Sequence, residues 1–461
     1  MLAGLVKNFT KKTKPAKKNK PEPVVIPRAD HGISRKDINP NALKVLYRLN
    51  EAGFSAYLVG GCVRDLMLGR HPKDFDIATS ALPEEIRRVF RNCRLIGKRF
   101  RLAHILFGKD IIEVATFRTH HKEGAELHGS TRDGMIVRDN VYGEIEDDAY
   151  RRDFTINAMY YNVTDFSVLD YTHGTEDIKH RCLRMIGDPT QRFHEDPVRL
   201  IRALRFTGKL DLHIAPETEK PLRELGYLLR NVSTARLYQE ILKFFHEGAI
   251  FKTVKLLRQY DLFQELFPIT HESLATSDIT EKLLQVALQN ADSRTQEHKT
   301  VSPAFIFVIF LWRPMSALFE SMQEAGDIPV HIAFDKAINT ILRQQTETLA
   351  IPRNLQVVIH EIAFLQYRFK LRHGSAPLRL LDHPRFRAAY DLLLLRAEAG
   401  EEVKELSEWW TLFYNGSTPQ RETMIKSLAE GNPKKKRRRN RSRRRTPGTV
   451  NPKGNPPNET T

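Results

Sequence analysis

Near residue 183 the chain changes pattern, and this change constrains its fold more than any single residue does. Up to about residue 171, short apolar segments alternate with helical ones at 82–90, 103–107, 111–117, 156–161 and 168–171, and AYLVGG (56–61) reads as a strand running into a turn. That alternation marks a sheet layered with helices. Beyond it the apolar spacing is helical almost throughout, at 251–260, 280–290, 304–311, 330–345, 355–371 and 385–397. Ser233 stands where it can cap the stretch TARLYQEILKFFHE, which Gly248 closes. The expectation is an α+β chain, a mixed sheet with helices followed by helices alone. No repeat of fixed period is present, and 461 residues exceed what one core usually supports, so two or more domains are expected.

Composition narrows the class. An apolar share of 41% with 9% aromatics is ordinary for a globular chain. The longest strongly apolar run, FIFVIFLW (305–312), is far short of the roughly 20 residues a membrane span needs and reads as a buried helix. Three cysteines, Cys62, Cys93 and Cys182, stand singly, without CxxC spacing, which fits a reduced, cytoplasmic setting. The opening stretch lacks an apolar core and a small-residue cleavage site, so it reads as a basic arm rather than a secretory signal. Pro21, Pro23 and Pro27 separate this arm from the body, and folding is expected to begin at 38–41, ahead of the helix NALKVLYRLNEA and its stop at Gly53.

Charge is distributed unevenly. The chain holds 73 Lys and Arg against 56 Asp and Glu, a net charge of +17. Residues 1–20 hold seven Lys and no acid, and residues 431–461 hold eleven Lys or Arg and one Glu, which leaves 55 of each sign between them. The excess therefore lies entirely in the two ends. Such stretches attract polyanions without reading sequence. A solubilising role or contact with a membrane surface would use the same charges, but KKKRRRNRSRRR fits nucleic acid best, in a tail too polar to fold. Residues 118–140, polar and glycine-bearing, read as a mobile loop beside a site. His120 and His121 within them read as solvated, and His104, inside AHILF, as a satisfied core residue.

The first stretch that carries chemistry is LVGGCVRD (58–65), followed nine residues after Asp65 by Asp74-Phe75-Asp76. Gly60 and Gly61 after a strand let backbone approach a phosphate, and Arg64 on the next turn can pair with its oxygens. If DFDIAT is a strand, residues two apart share a face, which would place both carboxylates together. Paired carboxylates with phosphate oxygens suit Mg²⁺. Taken alone, DxD is more often two solvated acids; the ordered combination with the glycines and Arg64 is what turns the reading.

The second stretch is RRDFTINAM (151–159), in which Arg152 can clamp a triphosphate while Asp153 faces a metal or a ribose. A structural salt bridge is the plainer alternative. The third is EDPVRLIRALRF (195–206), where a continuous helix would put Asp196, Arg199 and Arg202 on one face. Asp accepts from an exocyclic amine and Arg donates to ring acceptors, so together they could read a base edge. The plainer alternative here is a helical surface held by ion pairs.

These three stretches, in this order over residues 58–206, resemble the class II RNA nucleotidyltransferases, the family of CCA-adding enzymes and bacterial poly(A) polymerases. The resemblance implies a polymerase-beta-like nucleotidyltransferase head followed by an all-α neck, body and C-terminal domain. The corresponding division is a basic flexible arm at 1–37, a head at 38–180, a neck with the nucleotide-reading helix at 181–250, a body and C-terminal RNA-binding region at 251–430, and a disordered tail at 431–461. It implies Asp74, Asp76 and Asp153 as catalytic residues, with Asp74 and Asp76 holding metal. Gly60, Gly61, Arg64, Arg152, Asp196, Arg199 and Arg202 would bind the nucleotide. Glu113, on the strand IIEVATF, is a rival for the third carboxylate, and the residues leave that choice open.

The head motifs are shared by both activities of the family. Resemblance to the poly(A) polymerases comes instead from PRFRAAYDLL (384–393), the long helical C-terminal part, the Arg-rich tail and the stretch 38–53, and no metal-binding HD pair is present. The implied activity is template-independent addition of AMP from ATP to RNA 3′ ends, in the service of RNA turnover, with two Mg²⁺ ions and Mn²⁺ as a substitute; CCA addition to tRNA is the alternative. RNA, ATP, and RNA-decay or RNA-chaperone proteins are the implied partners, with the basic ends on RNA and the membrane periphery as a second location. The rival from another class is an RNA-binding protein whose head no longer catalyses.

Overall fold

The computed structural model describes residues 22–97, 101–119, 131–132, 135–136, 141–326 and 328–430. The basic arm up to residue 21, His120 and His121 with most of their loop, and the tail 431–461 lie outside the described residues.

The strand-like segments of the first third join into one mixed sheet. Its strands are β1 (Val24–Ile26), β2 (Ala56–Val59), β3 (Asp76–Thr79), β4 (Cys93–Ile96), β5 (Leu102–Phe107) and β6 (Asp110–Thr116), then, past a small hairpin of β7 (Thr131–Arg132) and β8 (Met135–Ile136), β9 (Met159–Asn162) and β10 (Val168–Asp170). The sheet order is β1-β10-β9-β2-β3-β6-β5-β4. Every neighbouring pair is antiparallel except β3 with β6. That one parallel pairing sets Asp76 directly beside Glu113.

Helices cover the sheet for reasons visible in their sequences. In Pro40–Glu51 the Asn39 side chain accepts hydrogen bonds from the amides of Asn41 and Ala42, and Pro40 opens the first turn. Ala42, Val45, Leu46 and Leu49 then fall on one buried stripe. The other face of the sheet carries a smaller cluster, Val59, Ala78, Phe117, Ala149 and Tyr160. Beyond the sheet the described residues form helices and their connections, apart from one short parallel ladder of β11 (Cys182–Leu183) with β12 (His213–Ile214).

Several expectations need correction. Folded chain begins before 38, because β1 pairs with β10, His31 Nε2 lies 2.8 Å from the Phe166 carbonyl oxygen, and Ile33 is buried. The strand expected over 74–79 starts at Asp76, leaving Asp74 in the approach to it. The segment 156–161 divides into a tight turn, Thr155–Asn157, and the strand β9. Ser233 occupies the N-cap position of Thr234–Phe245, yet its side chain makes no capping bond. The FIFVIFLW run belongs to a 22-residue helix, Pro303–Glu324, which by length and composition is apolar enough to cross a membrane. Its 306–312 stretch is core, with Phe307 and Phe310 against Phe245, Phe263 and Phe267. Each such side chain contributes about 1.5–3 kcal/mol by burial.

Candidate active site

The site starts at the end of β2. Gly60 has φ +78°, a conformation that a side chain would strain, and a Cβ there would lie 3.5 Å from Nη1 of Arg152. The turn therefore brings bare backbone against a guanidinium. The next helix, Gly61–Met67, begins at once, and Arg64 in it folds back over Gly61. Arg64 is almost wholly buried: Nη1 donates to Asn157 Oδ1 at 2.7 Å, Nε and Nη2 donate to Asp65 Oδ1, and the guanidinium lies 5.0 Å from the centre of the Phe206 ring.

Asp76 opens β3, between β2 and β6. Its side chain reaches solvent, but the surrounding protein, then the neighbouring Glu113 and to a smaller degree Asp74, push its carboxyl up to about 6 against the pull of Arg152. This is a concentration of negative charge that Arg152 offsets only in part. On the next strand Glu113 is flanked in turn by His104 of β5, whose Nε2 lies 3.2 Å from Glu113 Oε1. Beneath, the buried Cys62 Sγ donates to the Val59 carbonyl at 3.3 Å, and burial, reinforced by Asp76, pushes its thiol up to about 12. It is no nucleophile at neutral pH.

Among the described residues no three acidic, imidazole or thiol side chains converge into a closed metal cage. Mg²⁺ does not need one, since it takes one or two carboxylates and completes its shell with water and substrate phosphates. The donor set at Asp74, Asp76 and Glu113, hard oxygens whose charge Arg152 offsets only in part, fits such an ion.

The second motif holds its own charges. Asp148, four residues before Arg152, accepts from Arg152 Nη2 at 2.8 Å and from the Tyr160 hydroxyl at 2.8 Å. Burial opposes charge on Arg152, but Tyr160 and Asp148 outweigh it and keep the guanidinium protonated. Asp153 points elsewhere. Its Oδ2 accepts from Arg202 Nε at 2.8 Å and Nη2 at 2.5 Å, while Oδ1 accepts from the Phe154 amide and Asn157 Nδ2. Burial alone would raise its pKa, yet Arg202 and these hydrogen bonds hold the carboxyl well below the usual carboxylate range.

The third motif is not one helix. Asp196 ends Pro189–Glu195 with φ −150°, Pro197 follows, and the helix Val198–Leu210 carries only Arg199 and Arg202. The expected single face is broken at Pro197. Arg199 is buried and donates to the Arg192 carbonyl at 2.7 Å, with Glu195 3.2 Å away. Arg192 donates to the carbonyl oxygens of Arg151 and Arg152, which fastens the third motif to the second; burial and then Arg199 bring its pKa down to about 10, still protonated at neutral pH. Asp196 faces Arg236, on Thr234–Phe245.

The structure thus gathers Gly60, Gly61, Arg64, Arg152, Asp153 and Arg202 into one connected region through Asn157 and Phe206. It sets Asp76 with Asp74 and Glu113, within the field of Arg152. Asn157, Asp148 and Arg236 were not singled out from sequence. The four-residue spacing of Asp148 and Arg152 was a signal for the second; nothing local signalled Arg236.

Residues 56–184 match the family model described as the poly A polymerase head domain, 211–274 the probable RNA and SrmB-binding site of polymerase A, and 326–445 the polymerase A arginine-rich C-terminus. Poly(A) polymerase I of Salmonella typhimurium is 47% identical over 442 residues, 94% of this chain and 95% of that protein. The Escherichia coli protein of the same name is 47% identical over 93% of each chain. A CCA-adding enzyme of Lactobacillus helveticus is 38% identical, over 45% of this chain and 50% of its own. Among solved structures, the Bacillus stearothermophilus CCA-adding enzyme in complex with CTP shares the fold, with a TM-score of 0.56 and 23% identity over 85% of this chain and 83% of that one.

Proposed function

The chain belongs to the bacterial poly(A) polymerase I family, and on that premise we propose that it extends RNA 3′ ends with AMP units taken from ATP, without a template. The RNA 3′-hydroxyl oxygen attacks the α-phosphorus of ATP, the bond to the bridging oxygen breaks, pyrophosphate leaves, and the new 3′ end is the next acceptor. The observation that carries this reading is the juxtaposition of Asp76 with Asp74 and Glu113 beside the Gly60 turn and Arg152.

Asp74 and Asp76 would hold the metal, and Glu113, next to Asp76 in the sheet, suits the third carboxylate better than Asp153, which is committed to Arg202. Bound there, two Mg²⁺ ions, or Mn²⁺ in their place, would lower the pKa of the attacking hydroxyl and offset charge on the leaving pyrophosphate. The protein's own contribution is positioning. Gly60 and Gly61 bring backbone close to the triphosphate, and Arg152, held by Asp148 and Tyr160, presents a fixed positive charge to it. Arg64 and Arg202 stabilise the walls of this pocket from within, through Asn157 and Asp153. Asp196 would accept from the exocyclic amine of the base, with Arg199 setting the shape of the loop before it.

The division into head, neck and body given above, a cytoplasmic setting and a role in RNA turnover belong to the same proposal. Replacing Asp74 or Asp76 with Ala should abolish extension of an RNA primer and leave RNA affinity within about twofold of the parent, because neither carboxylate attracts a polyanion. Extension that survives both changes would remove the metal site from this strand.

A further inference from the structure

The base-reading motif is short of free arginines. Arg199 is buried against Arg192 and Glu195, and Arg202 is engaged by Asp153. Neither side chain hydrogen-bonds the Asp196 carboxylate, although Arg202 lies within its field. The cation that meets it comes from another helix, 40 residues along the chain: Arg236 Nη2 donates to Asp196 Oδ2 at 3.0 Å, and Nη1 lies 2.9 Å from Oδ1. The two contacts differ. Nη1 is near enough to Oδ1 for ion pairing but out of line for a hydrogen bond, so Oδ1, although shielded from solvent, keeps its acceptor capacity unused. A buried carboxylate oxygen without a hydrogen bond is costly, and the guanidinium charge against it offsets that cost and holds the carboxylate in place.

We propose that Arg236 is a specificity-determining positioning residue: its fork fixes the rotamer of the Asp196 carboxylate that accepts from the exocyclic amine of adenine. This rests on the reading of Asp196 as the base-facing acid. A carboxylate on an irregular residue between two helices has no helix to fix its rotamer, and Asp196, with φ −150° and ψ 89°, is such a residue. Arg236 lies in the first turn of Thr234–Phe245. That helix buries Leu237, Ile241, Phe244 and Phe245, so the fork is aimed from a rigid support. Arg suits the task better than Lys because its planar fork sets two oxygens at once. A base that presents an acceptor or nothing at that place leaves the Asp196 carboxylate unpaired, and such a mismatch is penalised more strongly than a matched pair is rewarded.

The test uses the full-length protein, a short RNA primer, Mg²⁺ and each nucleoside triphosphate in turn, with Asp196→Asn, Arg236→Met and Arg236→Lys compared with the parent. The expected result is a loss of about tenfold or more in preference for ATP over the other nucleotides in Arg236→Met, carried by a raised KM for ATP rather than by kcat. Arg236→Lys, which keeps charge without the fork, should fall between the two. Thermal melting and primer affinity of the variants, which report folding, should match the parent. An unchanged preference in Arg236→Met alongside a relaxed one in Asp196→Asn overturns the role of Arg236 alone. A lower KM for ATP in Arg236→Met also overturns it, since Arg236 would then compete with the base. Unchanged preference in Asp196→Asn removes the base reading itself, and this proposal with it.

Discussion

Asp153 shows how far a motif can be read from its residues. RRDFTINAM announced an arginine beside a carboxylate, and both a catalytic acid and a structural salt bridge were consistent with that spacing. The fold ties Asp153 to Arg202 with two hydrogen bonds, which its sequence neighbours could not reveal because Arg202 stands 49 residues away. One consequence is measurable. The native pKa of Asp153 lies below its unfolded value of about 3.9. The ionised group therefore contributes stability above the unfolded value, and that contribution is lost as pH falls through the native one. Asp153→Asn should lower stability by about 2 kcal/mol at neutral pH. Melting curves from pH 3 to 8 should show the difference from the parent constant above about pH 5 and shrinking below about pH 4. A difference that persists undiminished at pH 3 would mean that ionisation of Asp153 is not what Arg202 responds to.

Elements were more legible than their meetings. The helix Pro40–Glu51 followed from its Asn39 cap and apolar stripe, and β5 and β6 from their alternation. The strand carrying Asp76 starts two residues later than DFDIAT suggests, so Asp74 reaches the site from the approach to the strand rather than from a shared strand face. Pro197 likewise breaks what spacing alone joined into a single helix face. Sheet order is the larger gap. Nothing in the residues around Asp76 says that its parallel neighbour is β6, yet that pairing is what brings Glu113 beside it and underlies the proposal of Glu113 rather than Asp153 as the third carboxylate. Strand adjacency depends on the whole sheet, and local patterning does not encode it.

At the scale of the molecule, formal charge separates two tasks. With 55 charges of each sign between residues 21 and 430, the body has no net attraction for a polyanion, whereas the ends carry all of the +17. Removing residues 431–461 should therefore weaken RNA affinity and flatten its dependence on salt while sparing nucleotide transfer at saturating RNA. An unchanged salt slope would locate the RNA path on the body. The family relationship rests on the length of the chain, 94% of it at 47% identity to Salmonella typhimurium poly(A) polymerase I, whereas the CCA-adding relative from Lactobacillus helveticus matches 45%. The choice of nucleotide and of product is measured most directly by primer extension with a short RNA, Mg²⁺ and one nucleoside triphosphate at a time. Long tails with ATP alone are the predicted result; addition that stops at CCA and requires tRNA would contradict it.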